Sequence, residues 1–252
     1  MECAPGKSRQ RKMRRPILAE ALLSYPEDYE EIVRTQGVAK FPYRPTHSFD
    51  GDFINSQHKA LFNTALQPGK PIIDHEIEGW LRREDAAKLY EMAYFCGGDI
   101  VELGTSRGLS AFIMASAIKD AKMSGAIYTT DLLEDRCTAA TKRLKSRGVD
   151  NVFVLCDEGE AFLRRWADQG KKFTFAFIDH AHDYDPVKRA CVVLADVLVP
   201  GSFVAFHDFC DSRNFDEGTN NFGVFQGVED GIDASFRFYG AFGCMSLYRY
   251  EP

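Results

Sequence analysis

Three of the six histidines fall in two short stretches, Asp179-His180-Ala181-His182 and His207-Asp208. Histidine has an unperturbed pKa of about 6.5, close to working pH, which suits it to remove a proton from a nucleophile. Each stretch closes an apolar run, Phe173 to Ile178 and Phe203 to His207, of the kind that forms a parallel strand covered on both faces. Ligands of an open α/β sheet gather outside the carboxyl ends of such strands. His182 is therefore the first choice for a general base and His207 the second, with Asp179 orienting a substrate or a cofactor amino group. For each histidine taken singly, a structural hydrogen-bonding role is the alternative.

A second constellation runs from Asp99 to Leu109, Asp-Ile-Val-Glu-Leu-Gly-Thr-Ser-Arg-Gly-Leu. It reads as a buried strand ending in an acid, followed by a two-glycine loop that opens a helix. The spacing Gly104-x-x-x-Gly108 departs from the G-x-G-x-x-G of dinucleotide folds, whose first turn brings backbone against a pyrophosphate. Without a phosphate cradle, the loop points to S-adenosyl-L-methionine. Glu102, Gly104, Thr105, Gly108 and Ser110 are expected to line its methionine and ribose portions, although turn glycines also serve purely conformational ends. Asp131, followed by Leu132, stands where a carboxylate accepts both ribose hydroxyls. Asp131-x-x-Glu134 and Asp157-x-x-Glu160 read equally well as helix capping boxes.

The elements that must position these residues alternate along the chain. A helix is predicted from Arg83 to Phe95, where Ala86, Leu89, Met92 and Ala93 recur at helical spacing before Gly97-Gly98. Strands are predicted at Ile100 to Leu103, Ala126 to Thr130, Val152 to Cys156, Phe173 to Ile178 and Phe203 to His207. Between them lie helices from Leu109 to about Lys122, Glu134 to Arg147 and Glu158 to Asp168. A further helix has Asp185 as cap, Pro186 in its first position, a stripe of Val187, Cys191, Leu194 and Leu198, and Pro200-Gly201 as its stop. Five βα units imply a doubly wound α/β sheet. Ser235 to Tyr239 and Cys244 to Tyr250, joined by residues 240–243, pair most simply as an antiparallel hairpin.

Composition bounds the rest. A chain of 252 residues, 45% hydrophobic, holds one catalytic domain with an appendage. Residues 1–16 form a basic tail with six Lys or Arg against Glu2, read as disordered, while the remainder carries a net −11 that argues against a nucleic-acid surface. Residues 17–78 make an N-terminal arm and helices, irregular from Gln36 to about Lys70, and residues 79–252 the catalytic domain. Aromatics at Phe41 to Tyr43 could mediate pairing into a homodimer. Seven cysteines without a C-x-x-C pair, several in apolar runs, suit a reduced cytoplasmic protein. No stretch reaches the ~18 apolar residues of a membrane span, and Ile17 to Leu23, interrupted by Glu20, is too short for a signal peptide.

Four segments together resemble the class I S-adenosylmethionine-dependent methyltransferases, within them the small O-methyltransferases with "IDG-x-HSY" and "PGG…FHD" motifs. They are Gly79-Trp80-Leu81, Val101 to Ser110, Phe177 to Tyr184, and Leu198-Val199-Pro200-Gly201 leading to Phe206-His207-Asp208. Two departures stand out, His180 in place of Gly and Ser202 in place of the second Gly of Pro-Gly-Gly. The resemblance implies a Rossmann-like seven-stranded sheet, parallel with a terminal antiparallel hairpin. It also implies that Asp157 meets the adenine edge and that Asp179 and His180 border the cofactor. In the catechol-type relatives, the positions of Asp179 and Asp208 supply carboxylates to magnesium. Phe209 stands here where those enzymes carry an oxygen ligand, so magnesium is the unfavoured alternative and no metal ligand is assigned.

The expected activity is methyl transfer to a hydroxyl of a small molecule, without nucleic acid or membrane as partner. Alternatives are an NAD-type oxidoreductase, a non-catalytic cofactor-binding module, and an iron or zinc enzyme built on His180-x-His182 with Asp208 or His207. The segment from Phe209 to Ile232, with Phe209, Phe215, Phe222 and Phe225, is expected to be a long loop covering the site. Its phenylalanines suit a flat or apolar acceptor, or simply anchor the loop.

Overall fold

The computed structural model describes residues 29–36, 41–216, 218 and 221–252. The basic tail at 1–16 and the apolar piece at 17–23 lie outside the described residues.

Seven strands form one sheet in the order β3-β2-β1-β4-β5-β7-β6. β1 (Ile100–Leu103), β2 (Ile127–Asp131), β3 (Val152–Cys156), β4 (Phe173–Ile178) and β5 (Leu198–Phe206) are parallel neighbours. β7 (Met245–Tyr250) inserts antiparallel between β5 and β6 (Phe236–Phe242). The order reverses beside β1, which places the switch point between β1 and β4.

Alternating residues of each strand feed two cores. Val101, Leu103, Ala176, Ile178, Val204 and Phe206 pack with α6 (Gly159–Asp168), α7 (Tyr184–Val197), α8 (Val224–Gly231) and Tyr29 and Val33 of α1 (Tyr29–Gln36). Ile100, Phe175, Phe177, Phe203 and Ala205 face α3 (Arg83–Phe95), α4 (Leu109–Asp120) and Leu61 of α2 (Ser56–Phe62). This period of two is why the central strands read as continuous apolar runs. α5 (Glu134–Ser146) covers β2 and β3.

The described arm is held to α3 by a buried polar cluster. The Glu91 carboxylate accepts from the backbone amides of Thr46 and His47 at 2.6 and 2.8 Å and from Lys88 Nζ at 2.6 Å. Lys88 also donates to Arg44 O at 2.6 Å and Thr46 Oγ1 at 2.9 Å. No helix among the described residues is long and apolar enough to cross a membrane.

Several sequence expectations need correction. The arm is not wholly irregular, because Asn55 caps α2 by accepting from His58 N. Phe41 is buried against Tyr29, and Tyr43 donates to Glu91, so these aromatics serve their own chain. α7 begins at Tyr184 after Asp183, two residues earlier than expected, and Pro186 sits in its first turn, where the missing N–H has no intrahelical partner to lose. β5 starts at Leu198, which pairs with Phe173, ahead of Pro200-Gly201. The hairpin turns on Gly243-Cys244 alone, since Ala241 and Phe242 pair with Ser246 and Met245. Gly243 has φ +56 and lies so close to Asp85 of α3 that a Cβ would overlap its carboxylate. The segment after β5 carries a 3-10 turn at Ser212–Phe215 and α8.

Candidate active site

Glu102, the third residue of β1, is fully buried, with Oε1 accepting from Ser110 Oγ of α4 and Oε2 without a hydrogen-bond partner. Burial, partly offset by the hydrogen bond from Ser110, pushes its carboxyl up to about 7. The chain then turns at Gly104, whose φ of +103 and contact with the Asp179 carbonyl leave no room for a Cβ. Gly104 N and Thr105 N both donate to Thr130 O at 2.9 Å, tying the loop to β2. Thr105 Oγ1 pairs with Thr129 Oγ1 at 2.6 Å, so this side chain braces the strands. Gly108, at φ +87, is the N-cap of α4.

Neither proposed capping box forms. Asp131 accepts from Leu133 N at 3.1 Å through Oδ1 and from Ser106 N at 2.9 Å through Oδ2, spanning the loops after β2 and β1. Leu132 is 66% exposed beside it. Asp157 pairs with Arg165, and Glu158 caps α6 instead, accepting from Ala161 N at 2.9 Å. In both cases the helix starts one or two residues later than a capping box requires.

Asp179, His182, His207 and Asp208 converge at the ends of β4 and β5. His182 Nε2 lies 3.0 Å from Asp208 Oδ2. That contact raises the His182 pKa above its usual value, against burial. His207, only 5% exposed, stands 3.3 Å from Asp179 Oδ1, 3.5 Å from Asp208 Oδ1 and 3.5 Å from Asp85 Oδ2, without a well-aligned hydrogen bond. Burial opposes its charge, yet Asp179 and Asp208 hold its pKa well above normal. Burial likewise opposes ionisation of Asp208, but His207 and His182 hold it well below the carboxylate range. Asp208 adopts φ +58, a strained conformation for a side-chain-bearing residue, as functional sites often store.

His180 does not join this group. Its ring lies against Gly159, with both nitrogens buried and unbonded, and burial lowers its pKa. A His180-x-His182 chelate is thus not formed. The donor atoms of Asp179, His182 and Asp208 instead lie within 4.8 Å of one another, a one-histidine, two-carboxylate set able to hold a divalent cation.

Of the four covering phenylalanines, Phe209, Phe215 and Phe225 join the Tyr29 aromatic cluster. Phe222 alone reaches the site, stacking on His182 at 5.3 Å between ring centroids, with Arg213 over its ring at 4.2 Å. Sequence reasoning missed Asp85 and Cys244. Asp85 Oδ1 accepts from Cys244 N at 2.8 Å, and Cys244 Sγ lies 3.3 Å from Asp208 Oδ1. No local signal marks Asp85, which reads as an ordinary acid in the first turn of α3.

Residues 101–209 match a family model described as a methyltransferase domain. Over that stretch, less than half of the 252 residues, the chain is similar to this family. It is 26% identical over 84 residues to a protein-L-isoaspartate O-methyltransferase of Fervidobacterium nodosum, a match covering 33% of this chain and 41% of that relative's length. Among solved structures, the O-methyltransferase TomG from Streptomyces achromogenes, in complex with SAM, superposes with a TM-score of 0.55 at 19% identity, over 66% of this chain and 79% of TomG. An O-methyltransferase from Bacillus cereus in complex with SAH gives 0.56 at 17% identity, over 66% and 80%. Cofactor-bound Rv0187 from MTB gives 0.55 at 16% identity, over 78% and 89%. The sheet order and antiparallel β7 of this chain agree with that fold.

Proposed function

We propose that the chain is an S-adenosylmethionine-dependent methyltransferase acting on a hydroxyl of a small molecule, with His182 as general base. The observation that carries this reading is the His182–Asp208 pair at the ends of β4 and β5, beside the Gly104 loop and the buried Glu102.

The residues present fit the cofactor. Glu102 Oε2 is a buried acceptor without a partner, Gly104 and Gly108 let backbone approach a ligand closely, and Asp131 projects between two loops. Glu102, with Ser110 bonded to it, Gly104, Thr105 and Gly108 would hold the amino-acid and sugar portions. Asp131 and Leu132 would meet the ribose, and Asp157 with His180 the adenine side. When bound, the cofactor supplies a methyl group on a sulfonium, open to in-line displacement. Asp208 accepts the Nε2 proton of His182 and so leaves the lone pair on Nδ1. Nδ1 then takes the proton of the acceptor hydroxyl, while Asp208 stabilises the imidazolium. Asp179, held by its backbone N–H to Leu103 O at 2.8 Å, orients the substrate, and His207 neutralises the surrounding carboxylates. Phe222 closes one face of the base.

Calorimetric titration with S-adenosylhomocysteine and with NAD tests the cofactor. Binding of the first alone is expected, and binding of NAD alone would overturn the reading in favour of an oxidoreductase.

A second reading rests on the convergence of Asp179, His182 and Asp208. In it these three side chains hold a divalent cation that orients the acceptor oxygen, and His207 is left as the nearest base. Exhaustive chelation followed by turnover decides between them: full activity supports His182 as base, and loss reversed by added metal supports the cation.

A further inference from the structure

Two cysteines meet at the rim of the cofactor site, outside any role given above. Cys137, on the first turns of α5, is 6% exposed, and its Sγ lies 3.4 Å from both Asp131 O and Leu155 O. Cys156, the exposed last residue of β3, has its Sγ 3.5 Å from Leu132 O. Its backbone is paired in register with Asp131 of β2. Both cysteines line one open groove between α5 and β3, together with Glu134, Thr138, Lys142 and Lys145. Two of their three hydrogen-bond acceptors, Asp131 O and Leu132 O, thus belong to the segment that aims the Asp131 carboxylate.

We propose that Cys156 and Cys137 form a thiol–disulfide site that reacts with low-molecular-weight disulfides carrying carboxylates, and that its oxidation weakens cofactor binding. The second half of this proposal rests on the cofactor site assigned above. Burial and the neighbouring Cys156 sulfur push Cys137 up to about 11, so it stays a thiol at neutral pH. The exposed Cys156 is the attacking group. Its thiolate attacks one sulfur of the small disulfide, forming a mixed disulfide and releasing one small thiolate. Cys137 gives up its proton and attacks the Cys156 sulfur, forming the Cys137–Cys156 bond and releasing the second small thiol. Two protein thiols are oxidised and one small disulfide is reduced to two thiols. Lys142 and Lys145 line the groove as cations for the reagent's carboxylates. The new bond removes both S–H donors from the carbonyls of Asp131, Leu132 and Leu155 and draws α5 against β3, displacing Asp131.

The test incubates the reduced full-length chain with oxidised glutathione, then maps cysteines by mass spectrometry and titrates S-adenosylhomocysteine. The expected product is a Cys137–Cys156 disulfide, reversed by dithiothreitol, with affinity lowered by roughly tenfold or more through lost Asp131 hydrogen bonds. Cys137→Ser should retain a glutathionyl adduct on Cys156, and Cys156→Ser should leave Cys137 unmodified. A disulfide or adduct mapped to other cysteines, no reaction, or unchanged affinity after complete oxidation overturns the proposal. Failure of the reduced chain to bind S-adenosylhomocysteine overturns the cofactor reading and with it the affinity effect, while the cysteine map decides the thiol pair independently.

Discussion

The imidazole of His182 and the carboxylate of Asp208 meet at 3.0 Å, Nε2 to Oδ2, across the ends of two adjacent parallel strands. To act as the proposed base His182 must be neutral, so turnover should rise with pH through its raised pKa. Asp208→Asn removes the charge that raises it and should move this limb to lower pH while reducing the maximal rate. His182→Ala should cut kcat by roughly 10²–10⁴-fold, the usual contribution of a positioned base, with S-adenosylhomocysteine affinity retained. A pH–rate profile checks the direction; a limb that moves upward in Asp208→Asn would falsify the pairing.

Glu102 should set a pH dependence of stability. Its carboxyl is raised from 4.5 to about 7 in the fold, so between those values the native state binds more protons than the unfolded chain. Stability must then fall as pH rises through this window. Glu102→Gln should flatten the fall and stabilise the ligand-free protein at pH 8 by up to about 3 kcal/mol. Thermal melts at pH 5 and pH 8 measure it, and an unchanged slope would contradict the assignment.

Gly104→Ala should be severe. The substitution strains a positive φ and drives a methyl into the Asp179 carbonyl. We expect a loss of about 2–4 kcal/mol in denaturant unfolding, together with loss of cofactor affinity. Gly148→Ala, also at positive φ but with open space around its Cβ position, should cost less and spare affinity.

The Lys88–Glu91 pair should be costly to halve. Both side chains are buried, and Lys88 and His47 hold the Glu91 carboxyl down at about 2 despite burial. Lys88→Met removes the ammonium that faces this buried carboxylate and should destabilise by about 3–5 kcal/mol. The double variant Lys88→Met/Glu91→Gln should lose less than the two single changes added together. Additivity in a double-mutant cycle would refute the coupling.

Much of the frame was legible along the chain. The limits of β1, β3, β4 and α3 were read correctly because apolar runs and helical spacing are bounded there by Gly, Asp and Lys. Misplaced edges share one cause, tertiary contacts that local signals do not carry. Asp183 rather than Asp185 starts α7, where Asp183 bridges Phe222. The hairpin turn shrinks to Gly243-Cys244 because Gly243 donates to Phe41 O and packs on Asp85. α8 was read as loop because its helix is short and its glycines, Gly227 and Gly231, are needed for close approach to α7.

Taken alone, the chain determined an alternating α/β domain and delivered Glu102, Asp131, Asp179, His182 and His207 to the same edge of one sheet. Periodicity and glycine spacing are local, and parallel strands place their carboxyl ends together. Tertiary structure alone decided that His182 meets Asp208, that His180 turns toward Gly159, and that Asp85 of α3 stands beside His207. Those choices depend on the packing of side chains remote in sequence, where the partner of a charge is whichever group the crossed strands and covering helices bring within a few ångströms of it.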